Sequence, residues 1–286
     1  MKLAIGTAQW GMNYGINNST GITKYSDIKK IISFSRKEKI DMIDTASGYG
    51  SSEKRIGRSI DKDFKVVSKF GNINKYGSIN DQLNKSLFKL GTDRIYAYLF
   101  HDIKDLVSNI NYWNELKSLK ASGKISKIGY SIYEPEELDL LMEKNCIPDI
   151  VQLPFNILDR KFYYYFPILK KMKVEIHIRS IFLQGLIFKN LTNLKGNLKV
   201  FKRPLKIIDQ IAKQYIIKIH DIALHYPFSI EDIDYIIIGL DNFTQLKEIL
   251  ERLNKQINKD IFKSIEEIKL NEKEKFFLNP SNWNIK

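Results

Sequence analysis

Four polar residues sit at the end of short apolar runs or just beyond them: Asp44 after Met42-Ile43, Tyr49 in the loop that follows, Lys69 after Val66-Val67-Ser68, and His101 after Leu99-Phe100. Together they suit proton transfer by a tyrosine. A free phenol has a pKa of about 10 and is a poor acid at neutral pH. A neighbouring ammonium favours the phenolate by roughly 4 kcal/mol at about 4 Å and an effective dielectric of about 20. That predicts a lowered Tyr49 pKa. A half-buried Lys69 needs an anion to stay charged, and Asp44 supplies one. A ring N–H of His101 can orient a substrate oxygen. The set fits protonation of a carbonyl oxygen during reduction. Singly, each residue has a plainer reading: Asp44 as a turn cap, Tyr49 as loop packing, Lys69 as a solvated strand end, His101 as a core histidine. Their joint placement favours chemistry.

The elements that must position them follow from periodicity. Runs rich in Ile, Val and Tyr occur at Leu3–Thr7, Asp41–Thr45, Phe64–Lys69, Ile95–Phe100, Lys127–Ser131, Asp149–Leu153, Val174–Arg179 and Tyr235–Gly239. They lack a two-residue alternation, as strands buried on both faces do. Amphipathic helical patterns lie between them, at Ser26–Glu38, Ile79–Leu90, Tyr112–Ala121 and Gln245–Leu253. The pattern predicts the α/β class: a single (β/α)8 TIM barrel over residues 1–286, one domain, with an additional C-terminal helix and tail. In such a barrel the strand ends converge on one mouth. An open doubly wound sheet is the alternative, but GTAQWGMNYG after the first run lacks the G-x-G-x-x-G spacing. Leu186–Pro204 reads as a long polar loop. One helix near Asp260–Glu272 is expected to climb the barrel and bring Phe276, Phe277 and Trp283 to the mouth.

Composition excludes several classes. Hydrophobic residues are 43% and charged residues 28%, with 15 Gly and 7 Pro, which is globular and not collagenous or disordered. Cys146 is the only cysteine, so no internal disulfide and no cysteine-built zinc site is possible, and a reducing, cytoplasmic setting is the expectation. Net charge is +13, from 46 basic against 33 acidic residues. The lysines are spread along the chain, with no arginine-rich arm or zinc-finger spacing, which argues against a nucleic-acid partner. No apolar stretch reaches membrane-spanning length. His101, His177, His220 and His225 form no H-x-H or H-E-x-x-H pattern, so no metal site is expected.

The segments GTAQWGMNYG, IDTASGYGSSEKRIG, VVSKF, YLFHD, SGKISKIGYS, VQLPFNILDR and IIIGLDNFTQLKEI, in this order, resemble the aldo/keto reductase family over nearly the whole chain. The resemblance implies a barrel enzyme that reduces an aldehyde or ketone, a small-molecule carbonyl substrate, with reduced NADP or NAD; an aromatic, basic mouth would accept a sugar-like or anionic one. It implies Tyr49 as general acid, Lys69 and Asp44 as the groups that tune it, and His101 as the orienting donor. Gln152 and Ser131 match the family's nicotinamide-carboxamide contacts, although Ile132 replaces the usual asparagine. Arg179 stands where many members stack an aromatic ring on the nicotinamide; a guanidinium plane can do the same. Gly239 opens the matching phosphate-and-adenine loop and Glu248 matches an adenine contact. Gln245 replaces the basic residue that commonly holds the 2′-phosphate, and Asp241 opposes one, which weakens NADP relative to NAD unless Lys247 compensates. Lys189, Lys195, Lys199, Lys202 and Arg203 fall in the segment that covers the pyrophosphate in the family. Trp10, Tyr14, Tyr133 and Phe155, with Trp283 from the tail, are the expected substrate-side residues. A regulatory, non-catalytic cofactor-binding barrel of the same family is the second reading, kept open by Ile132 and Arg179.

Overall fold

Every strand is parallel to both neighbours, and the ladder β1 to β8 closes on itself in the computed structural model, which describes residues 2–60 and 64–284. The strands are β1 Lys2–Gly6, β2 Met42–Asp44, β3 Lys65–Phe70, β4 Ile95–Phe100, β5 Ile125–Ser131, β6 Ile150–Pro154, β7 Glu175–Arg179 and β8 Tyr235–Gly239. Ala4, Met42, Val67, Ala97, Leu99, Ile150 and Ile237 fill the barrel interior. The opposite faces pack under the surrounding helices, which is why the strands read as unbroken apolar runs. Register aligns the C-terminal ends: Gly6 with Asp44, Ser131 with Gln152, Pro154 with Arg179 and Gly6 with Gly239. These residues therefore share one rim.

The helices Tyr25–Lys37, Ile79–Leu90, Asn111–Ala121 and Phe243–Leu253 lie where periodicity placed them. Two further expectations are corrected. Leu186–Pro204 is not a polar loop. It folds as three 3-10 segments, Leu183–Phe188, Leu191–Asn193 and Gly196–Phe201, before a helix at Lys202–Gln214, with Leu186, Ile187, Leu194, Leu198 and Phe201 buried. The single helix at Asp260–Glu272 is two short ones, Asp260–Glu266 and Glu272–Phe276. Arg160 ends the first by donating to the carbonyls of Glu266 and Ile268, and an Asn271–Glu274 capping box starts the second. Glu274 then binds Arg203, and Asn197 bonds Asn282 and Asn284, so the tail is fastened to the segment after β7. Residues 285–286 lie outside the described residues.

The opposite end of the barrel holds a polar plug. The Glu175 carboxylate accepts from Tyr96 Oη at 2.8 and 3.0 Å, from the Lys127 ammonium and from His177 Nε2 at 3.3 Å. Burial alone raises its pKa, but the hydrogen bonds from His177, Lys127 and Tyr96 outweigh it and hold the group at about 2. A depressed carboxylate stabilises the fold above its unfolded pKa and loses that contribution as pH falls toward its folded one. Glu175→Gln is expected to cost about 1–3 kcal/mol at neutral pH. Urea denaturation should show the gap between wild type and variant narrowing as pH falls from about 5 toward 2; a gap that does not change with pH would contradict this assignment.

Candidate active site

At the centre of the rim lies the buried Lys69–Asp44 pair. Lys69 Nζ donates to both carboxylate oxygens of Asp44 and to the carbonyl of Thr45, each at 2.8 Å. All three ammonium protons are thereby taken. Gln152 Nε2 also donates to Asp44 Oδ1 at 2.8 Å, tying β6 to β2 across the barrel. The Asp44 carbonyl accepts from the Thr7 hydroxyl, which itself accepts from Ser52.

Tyr49 is carried on a turn between Ala46 and Ser52, closed by Tyr49 N–H to the Ala46 carbonyl. That turn crosses the segment after β1 at backbone contact distance. A Cβ on Gly11 would stand 1.8 Å from the Tyr49 carbonyl, and one on Gly50, at φ +55°, 2.2 Å from the Gly11 carbonyl. Only glycine allows this crossing at both points. Lys69 Nζ lies 5.5 Å from the Tyr49 ring centre. The Tyr49 and His101 rings meet edge to face with centres 5.6 Å apart. The structure thus brings Asp44, Tyr49, Lys69 and His101 together. The Tyr49 hydroxyl bonds to no described residue.

The charge states differ from the sequence expectation at one point. The Tyr49 phenol is not pulled down by Lys69; burial raises its pKa well above the ordinary value, with the Asp44 carboxylate and the Tyr14 phenol adding to the rise and Arg179 opposing it. Asp44 neutralises the ammonium before it acts on the phenol. Burial also lowers Lys69, against the Asp44 charge. Burial, then Lys69 and Arg179, push His101 down to about 4.

Tyr14 is 37% exposed, and burial of its hydroxyl end raises its pKa, with Tyr133 adding to the rise and Arg179 and Gln184 opposing it. Tyr14 and Tyr133 therefore stand near Arg179. Trp10 and Phe155 are corrections: both are fully buried. Trp10 packs in the main core under a backbone pinned by Arg55, and Phe155 stacks on Tyr226 with ring centres 5.8 Å apart, so neither lines an open mouth. Trp283 is partly buried against the core, with its indole N–H on the Phe277 carbonyl at 2.7 Å.

On the cofactor side, Gln152 Oε1 is buried without a hydrogen-bond partner, and the Ser131 hydroxyl beside it in register bonds to no described residue. A carboxamide, with donors and an acceptor, complements that pair, so the residues present fit a nicotinamide. Gly239 faces the side chain of Gln9, whose Nε2 a Cβ there would meet at 2.6 Å. The sequence reading did not single out Gln9; its place two residues after Thr7 in GTAQWG was the available signal. Gln245 is paired with Asp241: Oε1 accepts from the Asp241 N–H at 2.8 Å and Nε2 donates to Oδ2 at 3.1 Å. Glu248 and Lys247 are exposed. Arg203 is committed to Glu274 and to the Lys269 carbonyl. Among the described residues no three His, Cys, Asp or Glu side chains cluster as for a metal ion. None of the helices there is long and apolar enough to cross a membrane.

Fold and rim define a parallel (β/α)8 barrel with a tyrosine, histidine, lysine and aspartate at its mouth. The sequence pattern of the Aldo/keto reductase family matches residues 2–270, so the chain belongs to that family of oxidoreductases. It is 25% identical to Aldo-keto reductase YhdN of Bacillus subtilis (strain 168), over 90% of this chain and 86% of that protein. Among solved structures, a holo-form aldo-keto reductase from Bacillus halodurans superposes with a TM-score of 0.72 at 20% identity, covering 93% of this chain and 91% of its own. The glycerol dehydrogenase of Gluconobacter oxydans does so with a TM-score of 0.69 at 19% identity, covering 92% and 90%. At these identities the structures speak for the fold alone.

The electrostatics of the mouth give a direct check. In an NMR titration the His101 ring protons should show a midpoint near 4. A midpoint of about 6.5, the ordinary histidine value, would mean that the ring is solvated and away from Lys69 and Arg179.

Proposed function

We propose that this chain is an NAD(P)H-dependent carbonyl reductase in which residues 1–286 act as one barrel domain and Tyr49 is the general acid. The observation that carries the reading is the convergence of an unbonded Tyr49 hydroxyl, an edge-on His101 and the saturated Lys69–Asp44 pair at one strand rim. When bound, the reduced nicotinamide supplies the hydride. Tyr49 gives its proton to the carbonyl oxygen as carbon gains that hydride, so an aldehyde or ketone becomes an alcohol. Burial keeps the phenol protonated at neutral pH, so it carries the proton that the oxygen takes, although it also makes the group a weaker acid than a free phenol. Lys69 is neutralised by Asp44, so Arg179 is the cation whose charge favours the phenolate left behind until solvent reprotonates it. His101, neutral at pH 7, offers one ring N–H to the same oxygen without competing as an acid.

Ser131 and Gln152 would hold the carboxamide, and Arg179 would present its plane beside the ring. Gly239 would open the adenosine segment, with Gln245 and Glu248 beside the ribose and adenine. Gln245 spends its amide on Asp241 and brings no cation to a 2′-phosphate, which leaves that task to the exposed Lys247; NADH is supported at least as well as NADPH. Tyr14, with Trp283 from the tail, falls on the substrate side. Neither nucleic acid nor membrane enters this reading, and the expected setting is cytoplasmic.

The test is oxidation of NADH and NADPH against a panel of aldehydes and keto sugars, with Tyr49→Phe alongside. Turnover should fall by about 10²–10⁴-fold while cofactor affinity, read by fluorescence titration, is retained. Wild-type turnover in purified Tyr49→Phe would refute the assignment. Cofactor binding by wild type with no carbonyl reduced would favour the regulatory reading.

A further inference from the structure

Among the described residues, the reductase reading leaves Arg179 at the mouth without a paired anion. Arg179 ends β7, partly exposed, with its guanidinium carbon 4.0 Å from the centre of the Tyr133 ring. Its only hydrogen bond to a described residue is Nη2 to the Ile132 carbonyl at 3.1 Å. The other partly buried arginines are spoken for. Arg55 donates to two carbonyls, Arg160 to three, and Arg252 holds Asp221, while the exposed Arg203 holds Glu274. The nearby buried carboxylate, Asp159, feels the Arg179 charge but faces Lys161 at 3.8 Å. Asp44 is occupied by Lys69 and Gln152.

The backbone that follows Arg179 is strained. Ser180, Leu183 and Gln184 hold φ of 62°, 46° and 53°, the left-handed region that side chains avoid. Such strain persists where surrounding structure fixes it, commonly at ligand sites. Here Asn17 donates to the Gly185 carbonyl at 2.7 Å and Asn156 to the Ser180 carbonyl at 3.1 Å, which hold the turn in place.

We propose that Arg179 anchors the substrate, and that the carbonyl compound reduced here also carries a carboxylate. The proposal rests on the reductase reading and names its substrate class. Tyr133 covers one face of the guanidinium and the reductase reading gives the other to the nicotinamide, so the N–H edge is the part left for the substrate. That edge matches two carboxylate oxygens side by side. A phosphate dianion calls for further cations, and Lys69 and Arg203 are already committed. Tyr14, a neutral phenol near the same charge, adds an uncharged donor at the rim.

The test compares kcat/KM for glutaric semialdehyde with that for its methyl ester, which removes the charge and adds one methyl group. Wild type should favour the acid by roughly 10- to 100-fold, the size of a charge-assisted hydrogen bond. In Arg179→Gln that ratio should fall toward one, with Arg179→Lys in between. Using the ratio cancels any general loss from weakened cofactor binding. Equal use of acid and ester by wild type, or an unchanged ratio in Arg179→Gln, overturns the proposal. A larger preference for glycolaldehyde phosphate over glycolaldehyde than for acid over ester overturns the choice of carboxylate. Calorimetric titration with glutarate, which cannot be reduced, reads the anchor without turnover. Binding by wild type that is lost in Arg179→Gln supports the anchor even if no aldehyde is reduced and the reductase reading fails. No glutarate binding by wild type counts against it.

Discussion

An ammonium buried inside a barrel is costly unless its charge and all three protons are answered. Lys69 meets that condition only because β2 ends in Asp44 and continues into Thr45, whose carbonyl takes the third proton. Most of the mouth depends on this arrangement. Gln152 is aimed by its bond to Asp44, which leaves its own carbonyl oxygen buried without a hydrogen-bond partner. Tyr49 is set over the pair by a turn that touches the segment after β1 through Gly11 and Gly50. Removing either partner of a buried pair typically costs about 3–5 kcal/mol, because the survivor is left charged in a low-dielectric site.

Pairing Lys69 with Asp44 also decides which charges remain to act. The ammonium, already neutralised, does not ionise the phenol, so burial governs Tyr49 and keeps it a proton donor. The same burial keeps His101 uncharged. Arg179 is then the cation whose field reaches Tyr14, Tyr49, Lys69 and His101 without a carboxylate of its own. A donor phenol, a neutral imidazole and an unanswered guanidinium suit a polar carbonyl compound better than an apolar one.

Much of this was legible in the sequence because strand ends carry strong signals. Doubly buried strands leave continuous apolar runs, and a charged residue closing such a run, as Asp44 and Lys69 do, points to the rim. The meeting of Asp44, Tyr49, Lys69 and His101 at one rim follows from topology plus residue type. Other features depend on packing that no local pattern encodes. Trp10 and Phe155 look like mouth aromatics by position, yet tertiary contacts bury both. The segment after β7 carries lysines that suggest a solvated loop, while its interleaved leucines anchor short 3-10 turns. The tail helix is broken by Arg160, more than a hundred residues away in sequence, capturing its terminal carbonyls. The direction of the Tyr49 shift is not legible in the sequence, because desolvation by the folded surroundings dominates it and no local pattern encodes that burial.

The claim that Asp44 keeps Lys69 charged inside the barrel is open to direct measurement. Lysine labelled with nitrogen-15 allows the Lys69 ammonium to be followed by NMR in wild type and in Asp44→Asn across a pH series. Wild type should show a protected ammonium signal at neutral pH. The variant should show Lys69 losing its proton at lower pH, by roughly one to three units, the shift expected for an opposite charge at this range. A folded Asp44→Asn protein in which Lys69 titrates as in wild type would contradict the account.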